Sequence, residues 1–257
     1  MRRLDPGAPP PPSTGPGAHE PPPARTLAEQ AMRLIYDGIV SGRLEPGRKL
    51  KPEELKNQYR LGTSPIREAL LRLSAEGLVR LEGQRGFSVP GKSEEELRDI
   101  ANVRCLLSCR ALGLAIARGD DVWESGIVAA FHRLEKVAAK MKRHPAQYRE
   151  EWDRRNLEFH AALEAACGSP WLLRMSAVAA SQSERYRRNT IEYDELLPAV
   201  QNDHKAIMDA AIGRNANKAC ALLTKHIDDG AQRVLEAMRK ERTRARSGRA
   251  VSKKRPR

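Results

Sequence analysis

Apolar positions recur with helical period along most of this chain. Leu27, Ala31, Leu34, Ile35 and Ile39 form one stripe, ended by Ser41-Gly42. Leu44-Glu45-Pro46-Gly47 reads as a turn, and Leu55 and Tyr59 mark the inner side of a helix over 52–59. Ile66, Ala69, Leu70 and Leu73 fall at i, i+3, i+4 and i+7. That stripe predicts a helix from Ser64 to about Glu76, with Ser64 as its cap, Pro65 at its first position and Gly77 as its stop. Thr63, Arg67 and Ser74 lie off the stripe and point outward. The residues 78–81 and 87–89 then read as a hairpin closed by Gly83-Gln84-Arg85-Gly86. Beyond Pro90 only helices are expected, over 93–118, 120–142, 145–167, 170–190, 194–212 and 215–240. Each is bounded by a residue that caps or breaks a helix, and Ser93-Glu94-Glu95-Glu96 is a capping-box start.

This order predicts a mainly α protein: a winged helix-turn-helix over 25–91, then an all-helical antiparallel bundle over 92–240. Residues 1–24 are rich in Pro and Gly and are expected to be a disordered leader. The formal net charge of +13 favours a polyanionic partner, but most of it sits at one end. From Arg239 onward there are ten basic residues against one acid, Glu241, and residues 241–257 are expected to form a disordered basic tail. Cys105, Cys109, Cys167 and Cys220 form no CxxC pair and read as buried small hydrophobes in a reducing compartment. Arg2 and Arg3 lead into prolines rather than an apolar core, and the apolar run at 111–117 is too short to cross a bilayer, so a cytoplasmic protein without membrane contact is expected.

A short helix with a polar, cationic leading end suits a major groove, which makes duplex DNA the first partner to consider. Thr63 and Ser64 are expected at phosphates, because free amides at a helix N-terminus attract anions. Arg67 either reads a base edge or meets a phosphate, and Arg85, beside Gly86 in the wing, either enters the minor groove or stays in solvent. In the bundle, Asn156 and His160 are four apart and share a helix face, while His204 and His226 fall on the last two helices. Three imidazoles meeting inside a bundle would suit Zn²⁺ or another divalent first-row metal with open positions. His132 and His144 read as surface residues.

The stretches Ile39–Gly47, Ser64–Leu70, Glu76–Val79 and Arg85-Gly86-Phe87 make the chain resemble the GntR family of bacterial transcription regulators. Its second half resembles the FCD effector domain of the FadR-type subfamily, and Phe159-His160, Ala166–Leu172 and Ser183–Arg188 are similar to a subset that includes a glutarate-responsive repressor. The resemblance implies a homodimer on operator DNA and a small organic acid as effector, bound beside a metal held by one Asp and three His. His160, His204 and His226 match the three histidines, and Asn156 stands at the Asp position. That exchange removes a negative charge beside a dication. Gly62 and Thr63 replace the commoner residues before the Ser-Pro step, so the operator is expected to differ from that of Arg-bearing relatives.

Arg104, Arg185 and Arg188 are the effector-binding candidates. Arg187 is adjacent to the last two, so an exposed basic face remains open for them, and Ser108 stands where many relatives have Glu. Gly91-Lys92-Ser93 is the expected hinge. Two alternatives stand beside a regulator. One is a metal-dependent enzyme built on the bundle, although no HExxH motif is present. The other is a nonspecific nucleic-acid-binding protein working through the tail.

Overall fold

The computed structural model describes residues 26–83, 86–188 and 196–252, with side chains through Arg244. Helix α1 (Leu27–Val40) is capped by Thr26, whose hydroxyl accepts from the Glu29 amide. Strand β1 (Lys49–Leu50) leads into α2 (Pro52–Tyr59) and α3 (Thr63–Ala75), followed by β2 (Arg80–Leu81) and β3 (Phe87–Ser88). The strands form one antiparallel sheet in the order β1-β3-β2. Strand β1 was not expected from the apolar pattern, because its two residues carry no readable alternation. Ile35, Ile39, Leu55, Ile66, Leu70, Leu73 and Phe87 close over one core, so the predicted stripe of α3 faces inward. Burial of such side chains stabilises this small unit by roughly 1.5–3 kcal/mol each.

The start of α3 differs from expectation. Gly62 occupies the cap position without a side-chain bond, and the helix begins at Thr63. Ser64 is therefore inside the first turn and does not cap it. The Thr63 hydroxyl instead donates to Glu53 of α2 at 3.0 Å. The first-turn amides are thus left without a side-chain acceptor from the cap.

The second core is built from α4 (Glu94–Arg118), α5 (Asp121–Met141), α6 (Pro145–Glu164), α7 (Pro170–Arg187), α8 (Leu197–Ile212) and α9 (Ala216–Ser252). Ser93, Asp120 and Ser169 cap α4, α5 and α7 through side-chain bonds to backbone amides. By length and composition α4 could cross a membrane, at a mean hydropathy of 1.5 over 18 residues, a longer stretch than the 111–117 run. Here it packs between α7 and α9. Helix α9 is antiparallel to α4: Cys220 meets Cys109, Asp228 meets Cys105, and Arg239 meets Glu94. It stays helical through Ser252, which corrects the disordered tail expected from residue 241. The leader and residues 253–257 lie outside the described residues.

Candidate functional site

His160 on α6, His204 on α8 and His226 on α9 converge inside the bundle. Their ring centroids are 5.3 Å (160–204), 5.3 Å (160–226) and 4.6 Å (204–226) apart. One ligand atom from each falls within 4.8 Å of the others. Phe159 backs the cluster, its ring 5.1 Å from that of His204. Burial holds His160 and His204 well below the ordinary imidazole range, with the Arg104 and Arg187 charges adding to it, and lowers His226 as well. The rings are therefore neutral near pH 7 and their lone pairs are available.

Five buried atoms of these four side chains have no hydrogen-bond partner: Asn156 Oδ1, His160 Nε2, both ring nitrogens of His204, and His226 Nδ1. An unsatisfied buried polar group costs about 1–3 kcal/mol, so their concentration at one point fits a set of ligands for a cation. Asp203 Oδ2 lies 3.6 Å from His226 Nδ1. A carboxylate behind a ring nitrogen is the usual outer support of a metal-bound histidine. From its place beside His204 in the sequence, Asp203 reaches the histidine of the next helix instead. Gln201, one turn before His204 on α8, also has a buried, unpartnered amide. The donor set of three imidazoles and an amide oxygen suits a divalent first-row metal.

A cavity with about 60 Å³ of water-accessible space adjoins this cluster, lined by Arg104, Trp152, Asn156, His160, Ser183, Arg187 and His226 among others. It holds about four to six water-sized groups, the size of a small acid. Arg104 lies in its wall with its Nε unpartnered, as α4 places it. Arg185 and Arg188 are not in the wall. Arg187, which lies between them in sequence, takes that place. A buried acidic pair holds Arg187 and Arg188 on one side, away from Arg185. Asp153 accepts a hydrogen bond from Arg187 at 2.8 Å and is ion-paired with Arg188 at 2.8 Å, and Glu184 engages both.

Arg185 faces the other way. Its Nη1 donates to the Pro90 and Gly91 carbonyls at 3.3 and 3.0 Å, and its Nη2 reaches Glu96 at 3.0 Å. Nearby, the Tyr186 hydroxyl accepts from the Ser93 amide at 3.1 Å and donates to Glu96. Gln182 Nε2 donates to the Glu76 carbonyl, at the C-cap of α3, at 2.6 Å. Helix α7 thus touches the cavity with Ser183 and Arg187, and the interdomain linker and α3 with Gln182, Arg185 and Tyr186. Sequence reasoning missed Arg187, Ser183 and Gln182. Ser183 and Arg187 are spaced i, i+4, a usable signal, but the acids that sort the arginines lie elsewhere in the chain.

Ser108 hydrogen-bonds Ser176 at 3.1 Å, and both bond the buried Glu164 carboxyl. Burial nevertheless raises Glu164 above the usual carboxylate range. The folded state then holds this proton more tightly than the unfolded chain. Its contribution to stability is full below the unfolded carboxylate value and declines as pH rises through the folded one. Glu164→Gln is expected to melt higher than the parent at pH 7 in metal-free buffer, with the difference closing toward pH 4.5. Thermal melts across that range check it, and an unchanged difference at both ends would contradict the burial argument.

On the DNA-binding half, Ser64 and Arg67 are exposed and Thr63 is half-buried on α3. Leu71, one turn beyond Arg67, is 51 % exposed on the same face. It was overlooked, although an apolar residue next to the buried Leu70 cannot share that residue's inward face. Gly83 and Gly86 take positive φ of 47° and 85° at the wing, where a side chain would be strained. Arg85 lies outside the described residues.

These features define a helix-turn-helix regulator joined to a ligand-sized helical domain. Residues 27–89 match the bacterial regulatory proteins of the gntR family, and residues 99–229 match the FCD domain. The uncharacterized HTH-type transcriptional regulator BphR of Paraburkholderia xenovorans (strain LB400) is 37 % identical over 204 residues, 79 % of this chain and 83 % of that protein. The HTH-type transcriptional repressor GlaR of Escherichia coli (strain K12) is 36 % identical over 199 residues, 76 % of this chain and 90 % of that one. The solved structure of E. coli McbR/YncC superposes with a TM-score of 0.70 at 18 % identity, over 82 % of this chain and 98 % of that one, a likeness of fold. The chain belongs to the GntR family, in its FadR-type branch with an FCD domain, and is a DNA-binding transcription regulator. Its families and relatives are regulators, not enzymes. Some FCD domains bind metal ions, and GntR regulators typically act as dimers on operator DNA.

Proposed function

We propose that this chain is a cytoplasmic repressor, acting as a homodimer on a pseudo-palindromic operator, whose hold on DNA is changed by a small organic acid. The carrying observation is that α7 belongs to both halves of the problem. It sets Ser183 and Arg187 in the cavity wall and clasps the linker and α3 with Gln182, Arg185 and Tyr186.

Asn156, His160, His204 and His226 would hold the metal. When bound, the cation supplies a positive centre at which an acid's carboxylate completes the shell. Arg104 and Arg187 orient the anion's other end, since guanidinium groups recognise carboxylates through paired donors. Asp153 and Glu184 compete for Arg187, so an anion that draws on Arg187 loosens its hold on that pair and shifts α7. A coupling of about 1–3 kcal/mol changes operator occupancy 5–150-fold. Homodimer formation is supported by the apolar side chains exposed on adjacent helices: Val103 and Leu106 of α4, Trp171 and Met175 of α7. Isolated in water, such a patch marks an association surface.

Thr63 and Ser64 contact phosphates, and Arg67 reads a base edge. The test begins with mapping of bound genomic DNA to find the operator. Arg67→Ala is then expected to weaken operator binding by about 1–3 kcal/mol and to relax preference at one base position per half-site. Equal affinity of the parent for operator and scrambled duplex would refute the reading, and would favour nonspecific binding.

A further inference from the structure

We propose that Leu71 is a specificity-determining residue of α3, its side chain packing on the 5-methyl group of one thymine per half-site, beside the base that Arg67 reads. The proposal rests on the reading above that the outward face of α3 enters the major groove, and not on the metal or the effector.

Ile66, Ala69, Leu70 and Leu73 make the inner side of α3. Away from them lie Ser64, Arg67, Glu68, Leu71, Arg72 and Ser74. Half of these are already engaged within the helix. Glu68 and Arg72 pair with each other at 2.6 Å, and the Ser74 hydroxyl donates to the Leu71 carbonyl at 2.8 Å. Ser64, Arg67 and Leu71 are left, at i, i+3 and i+7, in one line along the helix. All three are exposed, and among the described residues the Ser64 and Arg67 side chains make no hydrogen bond or ion pair. Leu71 is not a loose piece of the core, because Leu70 and Leu73 on either side of it are fully buried.

The chemistry of the groove decides what covers Leu71. A leucine gains nothing from a phosphate, and half of this one is in water on the face that carries Arg67. Of the four bases, thymine alone presents a methyl group in the major groove, and apolar side chains recognise it by contact. Four residues of helix rise about 6 Å, which is about two base-pair steps of 3.4 Å. The thymine therefore falls within about two base pairs of the base at Arg67. Serine for a phosphate, arginine for a base edge and leucine for a methyl group make one continuous line of contact. Reading an apolar group beside a polar one narrows the operator without adding charge, so this part of the recognition is insensitive to salt, unlike phosphate contact.

The test uses the full chain and the mapped operator. Each thymine is replaced in turn by uracil, symmetrically in both half-sites, which removes the methyl group and keeps the hydrogen bonds of the base pair. For the parent, one position near the Arg67 base is expected to cost about fourfold in affinity per half-site, or about fifteenfold for both, as for one buried methyl group on each side. Leu71→Ala is expected to bind the thymine duplex at least that much more weakly, and to bind thymine and uracil duplexes alike at that position. Its response at every other thymine should match the parent. Leu71→Met keeps an apolar tip and should keep the preference for thymine. Leu71 faces solvent, so both variants should melt with the parent. A Leu71→Ala protein that still discriminates thymine from uracil as the parent does would overturn the proposal, as would a parent indifferent to uracil at every position. If Leu71 packs instead against a second copy of the chain, alanine would weaken dimerisation in sedimentation and leave the thymine preference intact, which also overturns it. Failure of the α3 reading would show separately, as an Arg67→Ala protein with the base preferences of the parent.

Discussion

Replacing His204 with alanine is expected to remove the metal response of this protein almost completely. His204 is fully buried and neither of its ring nitrogens has a partner. It is one corner of a triangle with His160 and His226, so no rearrangement of the other two supplies a third imidazole. Loss of an outer partner of a ligand typically costs 10–100-fold in metal affinity, and loss of a ligand should cost more. A metal that binds only the folded state stabilises it by about 4.1 kcal/mol at a thousandfold excess over its dissociation constant. For a chain of this size that is roughly 8–16 °C in melting temperature, at 2–4 °C per kcal/mol.

The parent should show such a rise on adding Zn²⁺, and His204→Ala should show little or none. Without metal the two should lie much closer, because the substitution then removes an unsatisfied imidazole as well as its packing. Asn156→Asp restores a charged ligand and should increase the metal-dependent rise. Melting curves and metal analysis of the purified proteins read all three. An equal rise in parent and His204→Ala would remove the histidine cluster from consideration as the metal site.

The parts of this molecule that were legible in sequence are those where a local pattern and the tertiary environment agree. The stripe Ile66–Leu73 had one way to be buried, so both the inward face of α3 and the outward placement of Arg67 followed from it. Ser93 had a Glu three residues on and became the cap that its sequence suggested. Its counterpart Ser64 did not, because Gly62 lets the helix start earlier and Thr63 bonds Glu53 instead. The histidines lie on three helices, so spacing could pair only Asn156 with His160. Family resemblance, rather than periodicity, suggested the other two.

What stayed hidden depends on partners remote in sequence. Arg185, Arg187 and Arg188 are indistinguishable as a basic run. They separate only because Asp153 and Glu184 are buried on one side and the Pro90 and Gly91 carbonyls lie on the other. The tail reads as disordered by charge alone, yet Glu94 gives its root two ion pairs and the helix runs on. In both cases the decisive atoms belong to another element, and no window of sequence contains them.

Arg185 carries the sharpest prediction about communication between the two domains. The residue is 2 % exposed, and its guanidinium bonds two linker carbonyls, Gln182 and Glu96. Glu96 is 44 % exposed and can rehydrate if its partner is lost. Pro90 is buried, and its carbonyl has no such outlet while the linker stays docked, so the cheapest response to losing Arg185 is for the linker to lift away. Arg185→Ala is therefore expected to reduce the free energy of linker opening by about 1–3 kcal/mol, the range of one or two bonds to a charged group. Lys92 lies in that linker and is followed by Ser93, which makes it a trypsin site. Where reclosing is faster than cleavage, the rate follows the open population, so scission after Lys92 should accelerate about 5–150-fold. Arg185→Lys should resemble alanine, because a single ammonium cannot span carbonyls and carboxylate as the planar fork does. Zn²⁺ binding should survive in both variants, since Arg185 is not in the cavity wall. The difference in operator affinity between metal-free and metal-loaded protein should shrink, because α7 would move without carrying the linker. Parent-like cleavage at Lys92 in Arg185→Ala would mean that the clasp does not hold the domains together, and α7 would lose its place as the link between cavity and DNA.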